Sequence, residues 1–399
     1  MLKRLCFIFL IFSFLFSCSS LKKRNLWQQG RIVDLSEKQT FPFEREWGMI
    51  FLEVKINGQP FNFLLDTGAP NVLDKKTVEK LGIPYKSFGS VGDAYGRREK
   101  LSFTNTASFD IGPLHFEEVA ALIADFRSVQ IFDCMDIDGL IGSNLMRKAV
   151  WQFDFEKEEI TVAPSIKDFD VSQADTLPIY PSSQGTPRIN FSLGSKEYFG
   201  VKVDFGSGNG LTTPIELVPE KQINDAGIIT VGEVGTGLYG GQKDTVRYVY
   251  SDSIKLGETL ISPGILRVRP KTGGLVGLNF WENYLVTIDW KNKRLYYELN
   301  EDSPKMKQNT FGFGLELKKS QVLINSLTSP SPASEAGIQL GDQVLEFNGE
   351  KVEDIPYCGF LELLQDTDEV QFKLKRGEKI LDLKVLRSDI FKLIYQAQK

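Results

Sequence analysis

The stretch from Phe61 to Asp74 reads FNFLLDTGAPNVLD, an apolar run that breaks off on Asp66, Thr67 and Gly68. Its residue types favour a strand, and Gly68 with Pro70 supplies the turn that ends it. A strand ending this way brings a carboxylate to the mouth of a tight turn, where the side chain can face a cleft instead of a core. An ordinary strand-end turn has the same composition, so these residues need support from elsewhere in the chain.

That support is an internal repeat. A shift of 138 positions lays Phe61 on Phe199, Leu65 on Val203, Asp66 on Asp204, Gly68 on Gly206, Asn71 on Asn209 and Leu73 on Leu211. A shift of 135 then lays Gly139 on Gly274, Gly142 on Gly277, Asn144 on Asn279, Asp154 on Asp289 and Ile160 on Leu295. Between these anchors SFDIGPLHFEEVAALIADF aligns with SDSIKLGETLISPGILRVRP. Ordered matches at a nearly constant offset mean two homologous units, over 47–163 and 185–299, with a Pro- and Ser-containing linker over 164–184.

Composition narrows the chemistry. A chain of 399 residues exceeds one ordinary core, so two or three domains are expected. Phe outnumbers Tyr and Trp combined, and short β-branched runs recur, which points to a mostly β chain. The net charge of −5 gives no basic footprint for nucleic acid. With His115 the only histidine, Ser-His and Cys-His nucleophilic sites and multi-histidine metal sites are disfavoured. Hydrolytic chemistry would fall to carboxylates.

Two β-rich units, each with an Asp turn and a later apolar-apolar-Gly segment, resemble a single-chain bilobal aspartic peptidase of the retropepsin/pepsin type. In that family the segments here written Leu140-Ile141-Gly142 and Leu275-Val276-Gly277 thread beside the Asp loops and close a ψ-shaped structure. The resemblance implies a catalytic dyad of Asp66 and Asp204, supported by Thr67, Gly68, Phe205, Gly206 and Ser207, acting on a peptide or protein substrate without cofactor or metal. Glycine-rich GSVGDAYGRREK with Tyr95 and VGEVGTGLYGGQK with Tyr239 fall where the family places its substrate-covering flaps. One position departs from the pattern. Thr or Ser normally follows each aspartate and bonds across the lobes, but the second lobe has Phe205, which rules out a reciprocal side-chain grip and leaves Thr67 to find another partner. Ser207 is a possible substitute, and restoring a hydroxyl by Phe205→Thr is expected to raise stability or rate if the grip matters. An active endopeptidase and an inert, aspartic-protease-like binding or assembly protein both remain open.

The two ends of the chain carry different signals. Lys3 and Arg4 precede LCFIFLIFSFLFS, whose 13 residues as a helix span only ~20 Å of a ~30 Å hydrocarbon core. That is a secretory h-region rather than a membrane span. Leu15-Phe16-Ser17-Cys18 resembles a bacterial lipobox, which implies a signal peptide over 1–17, lipidation at Cys18, and a membrane-anchored place at the cell envelope, periplasmic or surface-facing. Residues 18–46 read as a polar tether with a first strand near Ile32 and Val33. Cys134 and Cys358 fall in different domains; a bond between them is possible, but buried free thiols are the expected state.

After the second lobe, FGFGLEL and SPSPASEAGIQLGDQVLEFNGEKVED resemble an α+β PDZ domain over 310–388. The resemblance implies a carboxylate-binding loop at Gly312, Phe313 and Gly314, an amphipathic helix in IPYCGFLELLQ beside the groove, and a C-terminal peptide or protein partner. The expected architecture is therefore two homologous acid-protease-type β lobes followed by an α+β PDZ domain.

Overall fold

The computed structural model of the chain describes residues 26–105, 108–261, 264–270, 273–300, 308–392 and 394. The expected signal peptide over 1–17 and the lipidation site Cys18 lie outside the described residues. The fold is mostly β, with 52% strand against 15% helix.

In the first lobe the strands Met49–Ile56 and Gln59–Asp66 form a hairpin across Asn57-Gly58. Their φ values of 52° and 79° are both positive, the geometry that matches a two-residue turn to strand twist. The strand Gly139–Gly142 runs parallel to Gln59–Asp66, with Gly142 beside Asp66, and antiparallel to Val72–Asp74. In the second lobe Leu275–Gly277 lies parallel to Lys196–Asp204, with Gly277 beside Asp204, and antiparallel to Leu211–Pro214. Each apolar-apolar-Gly segment thus fixes the end of an Asp strand from the side. The glycines are sterically required, because a Cβ on Gly142 would lie 2.1 Å from the Pro70 carbonyl carbon and one on Gly277 2.1 Å from the Asn209 oxygen.

A six-stranded sheet joins the lobes from below. Val150–Asp154 of the first lobe pairs antiparallel with Tyr284–Asp289 of the second, and Trp151, Phe153, Val286 and Ile288 are fully buried there. Its outer strands, Gln39–Pro42 and Asp175–Pro178, come from the stretches expected to be tether and linker. The first strand expected near Ile32 and Val33 is present as Arg31–Val33, paired with Leu114–Glu117, so the described part of 18–46 contributes to the first lobe and the shared sheet. One apolar face per strand is enough to recruit such short segments onto a sheet that already has a core.

The PDZ domain has its own core around Phe360, Val370 and Leu374, yet it is not a loose appendage. Its strand Gln321–Ser329 pairs with Ile228–Gly237 of the second lobe, extending that lobe's sheet to 15 strands. Ile390, Phe391 and Ile394 return to the core of the lobes. The expectation of free thiols is corrected: Cys134 and Cys358 form a disulfide across 224 residues of sequence, linking the helix Gln130–Cys134 to the helix Tyr357–Gln365. Docking of the domains places their Cα atoms 5.0 Å apart, inside the range a disulfide bridges.

Candidate active site

Asp66 ends its strand, and Asp204 ends the equivalent strand of the second lobe. The Gly68 N–H donates to Asp66 Oδ1 at 2.7 Å, holding that carboxylate toward the lobe interface. There the two carboxyl groups come together, close enough for the charge of Asp204 to act on Asp66. Each also rests on the opposite turn. A Cβ on Gly68 would sit 2.4 Å from Asp204 Cγ, and one on Gly206 would sit 2.2 Å from Asp66 Cγ. Glycine at both positions is what lets the carboxylates approach.

Such a pair resists double ionisation. Burial first, then the charge of Asp204, pushes the Asp66 carboxyl up to about 7, against the opposing pull of the Gly68 N–H and the Lys202 ammonium. The titration belongs to the pair. Lys202 was not anticipated from the sequence. Its Nζ lies 3.8 Å from Asp204 Oδ2, because residues two apart on a strand share a face. That period-two relation was the available signal, and Leu64 at the matching place in the first lobe hid it.

The residues flanking the aspartates behave unlike each other. Thr67 is fully buried; its hydroxyl donates to the Val203 carbonyl at 2.8 Å and accepts from the Phe205 N–H at 2.9 Å. One half of a cross-lobe grip is therefore present, made to backbone. Phe205 points the other way, fully buried with its ring 4.9 Å from Phe153 and 5.7 Å from Phe155, edge-on to both. Ser207 is no replacement for the missing hydroxyl, since its Oγ is engaged locally by the backbone N–H and side-chain amide of Asn209.

Tyr95 sits in the turn between Ser87–Gly92 and Arg98–Asn105, and Tyr239 in the turn between Ile228–Gly237 and Gly240–Ser251. The two hairpins meet. Tyr239 donates its hydroxyl to the Val91 carbonyl at 2.9 Å, and Arg97 donates to the carbonyls of Gly240 and Gly241 at 2.7 and 3.1 Å. The Tyr95 ring lies under the Arg269 guanidinium, 4.8 Å away, where a Cβ on Gly235 would strike its hydroxyl. In the PDZ domain, Gly312 has a φ of 92° and its N–H donates to Thr310 Oγ1; Phe311 stacks on Phe313, and Gly314 packs against Ser326. Among the described residues, no three His, Cys, Asp or Glu side chains converge as metal ligands.

Comparison with known proteins gives two family matches. Residues 52–145 match the aspartyl protease model and residues 310–386 the PDZ domain model. The chain thus carries an aspartyl protease-type domain and a PDZ domain. Among solved structures, a retropepsin-like aspartic protease from Rickettsia conorii is similar at 22% identity over 32% of this chain and 90% of that one, with a TM-score of 0.23. Basic 7S globulin from soybean is similar at 11% identity over 66% of this chain and 95% of that one, with a TM-score of 0.37. No curated protein matches the sequence.

Proposed function

We propose that the chain is an aspartic endopeptidase in which Asp66 and Asp204 activate a water between them. The observation that carries this reading is the pair of carboxyls held against each other's glycine turns, with Asp66 pushed up to about 7 by burial and by the charge of Asp204; a pair so placed shares a single proton. The ionised carboxylate takes a proton from the water as it attacks the scissile carbonyl, and the protonated one donates to the carbonyl oxygen. The tetrahedral intermediate then collapses with proton transfer to the leaving amine. No covalent enzyme intermediate is formed. Thr67 holds the two turns in register through the backbone of the second lobe. The hairpins bearing Tyr95 and Tyr239 act as flaps that admit an extended peptide and then exclude water.

In this reading the PDZ domain binds a peptide or protein partner, and Cys18 carries the lipid that anchors the mature chain at the envelope. Among the described residues no helix is long and apolar enough to cross a membrane. Phe205 favours a second reading, an inert binding or assembly protein that keeps the bilobal cleft. The two readings separate on incubation of the purified chain with denatured casein from acidic to neutral pH, with products mapped by mass spectrometry. Internal cleavage that disappears in Asp66→Asn supports the peptidase; intact casein at every pH, with the fold verified, supports the inert protein.

A further inference from the structure

The PDZ strand Phe313–Lys318 has one edge paired with Gln321–Ser329 and the other turned toward the helix Tyr357–Gln365. A PDZ groove accepts an extended peptide at such an edge, by adding a strand to it. The hairpin closes through Lys319-Ser320, with φ of 50° and 61°, so Lys318 and Gln321 face each other beside the turn. Leu315 and Leu317 then direct backbone groups outward, into the groove.

The Leu317 N–H and the carbonyls of Leu315 and Leu317 already have partners from this chain. The Leu317 N–H donates to Gln130 Oε1 at 3.1 Å, and Gln130 Nε2 donates to the Leu317 carbonyl at 3.3 Å. A side-chain amide thereby makes the paired donor and acceptor contacts that one residue of an added strand would make. Tyr357 spans the groove from the first turn of its helix, donating its hydroxyl to the Leu315 carbonyl at 3.0 Å. Gln130 opens the short lobe-one helix that Cys134 ends, and Cys134 is bonded to Cys358, the neighbour of Tyr357. The amide and the disulfide therefore hold the same helix of the first lobe against the same groove.

We propose that the helix Gln130–Cys134 is a built-in competitor for the PDZ groove, latched there by the Cys134–Cys358 disulfide, and that reduction of this bond opens the groove to an extended peptide with a free carboxylate. The reductant is a dithiol: it gives up two electrons and two protons and closes to its own disulfide, while the S–S bond of the latch becomes two cysteine thiols. Opening reaches further than the groove. The strand Gln321–Ser329 also pairs, through Ser326 to Ser329, with Gly232 to Ile229 of the second-lobe hairpin. A peptide added to the groove edge would lie two strands from the hairpin that bears Tyr239. The inference rests on the PDZ domain and holds whether or not the lobes cleave peptides.

Hydrogen exchange of the full chain tests it, read at Leu317 in the oxidised wild type, the dithiol-reduced wild type and Gln130→Ala, which keeps the disulfide. Exchange at Leu317 is expected to rise roughly tenfold on reduction and in Gln130→Ala, the size of one lost hydrogen bond. The strand Glu369–Arg376 should stay protected, as a check that the PDZ core is folded. In parallel, a random heptapeptide library displayed with free C-termini is panned against both redox forms. Enrichment on the reduced chain alone is expected. Equal exchange at Leu317 in both redox forms, equal enrichment on both, or no enrichment on the reduced form would each overturn the proposal.

Discussion

The two Asp turns descend from one pattern and have come to do different work. In the first lobe, Thr67 reaches out of its turn and holds the backbone of the second at Val203 and Phe205. In the second lobe, Phe205 reaches down, away from the two carboxylates, and fills the space between the lobes against Phe153 and Phe155. The comparison shows that a grip can be kept on one hydroxyl if its partners are backbone groups, which substitutions other than to proline leave in place. The lost reciprocal bond is replaced by buried aromatic area, about 1.5–3 kcal/mol for a fully buried ring.

The largest test of this division of labour is Phe205→Thr. Sequence logic alone expects a restored hydroxyl to stabilise. In the fold it empties an aromatic site, and the account predicts a loss of about 3 kcal/mol or more in denaturant unfolding; a gain in stability would mean the ring is not the structural replacement. Next comes Gly206→Ala, whose added Cβ would fall 2.2 Å from Asp66 Cγ. Forcing the carboxylates apart should cut turnover by about 100-fold while circular dichroism stays native. Unchanged turnover would show that the two turns do not need to touch.

Asp66 gives a smaller effect, on stability against pH. Its carboxyl is held at about 7 in the fold against 3.8 ordinarily. The unfolded chain therefore releases a proton that the folded chain keeps as pH rises through that window. Stability from this group is full below the ordinary value and is lost as pH approaches 7, by on the order of 1 kcal/mol or more. Asp66→Asn should flatten that slope in thermal melts from acidic to neutral pH; an unchanged slope would place the titration elsewhere. The smallest effect is expected from Lys202→Met. Without that cation the pair holds its proton to higher pH, so the alkaline limb of the activity profile should move up by roughly one unit with little change in KM. A fixed limb with a raised KM would make Lys202 a substrate contact instead.

Much of this architecture was legible in the sequence because it repeats. The 138-residue offset that pairs Asp66 with Asp204 in the sequence also separates Thr67 from Phe205 across the interface. The apolar-apolar-Gly segments fell beside the Asp strands because close backbone approach demands glycine there. What stayed hidden was set by docking rather than by local pattern. Nothing in the spacing of Cys134 and Cys358 marks them as neighbours, since their meeting depends on how the PDZ domain sits on the first lobe. That Thr67 needs another partner follows from Phe205, but which partner stays hidden for a different reason: the groups it meets are main-chain ones that residue identity does not reveal. Short strands such as Gln39–Pro42 look like tether in the sequence because their pairing partners lie far along the chain.

The central claim is that two unlike turns still hold one working dyad, and turnover of a fluorogenic peptide recovered from the casein digest by Asp204→Asn measures it most directly. The account predicts a fall of about 1,000-fold or more relative to wild type, matched by Asp66→Asn, with native melting behaviour in both. Wild-type turnover in Asp204→Asn would contradict it, because the lobe that carries Phe205 would then have no part in the chemistry.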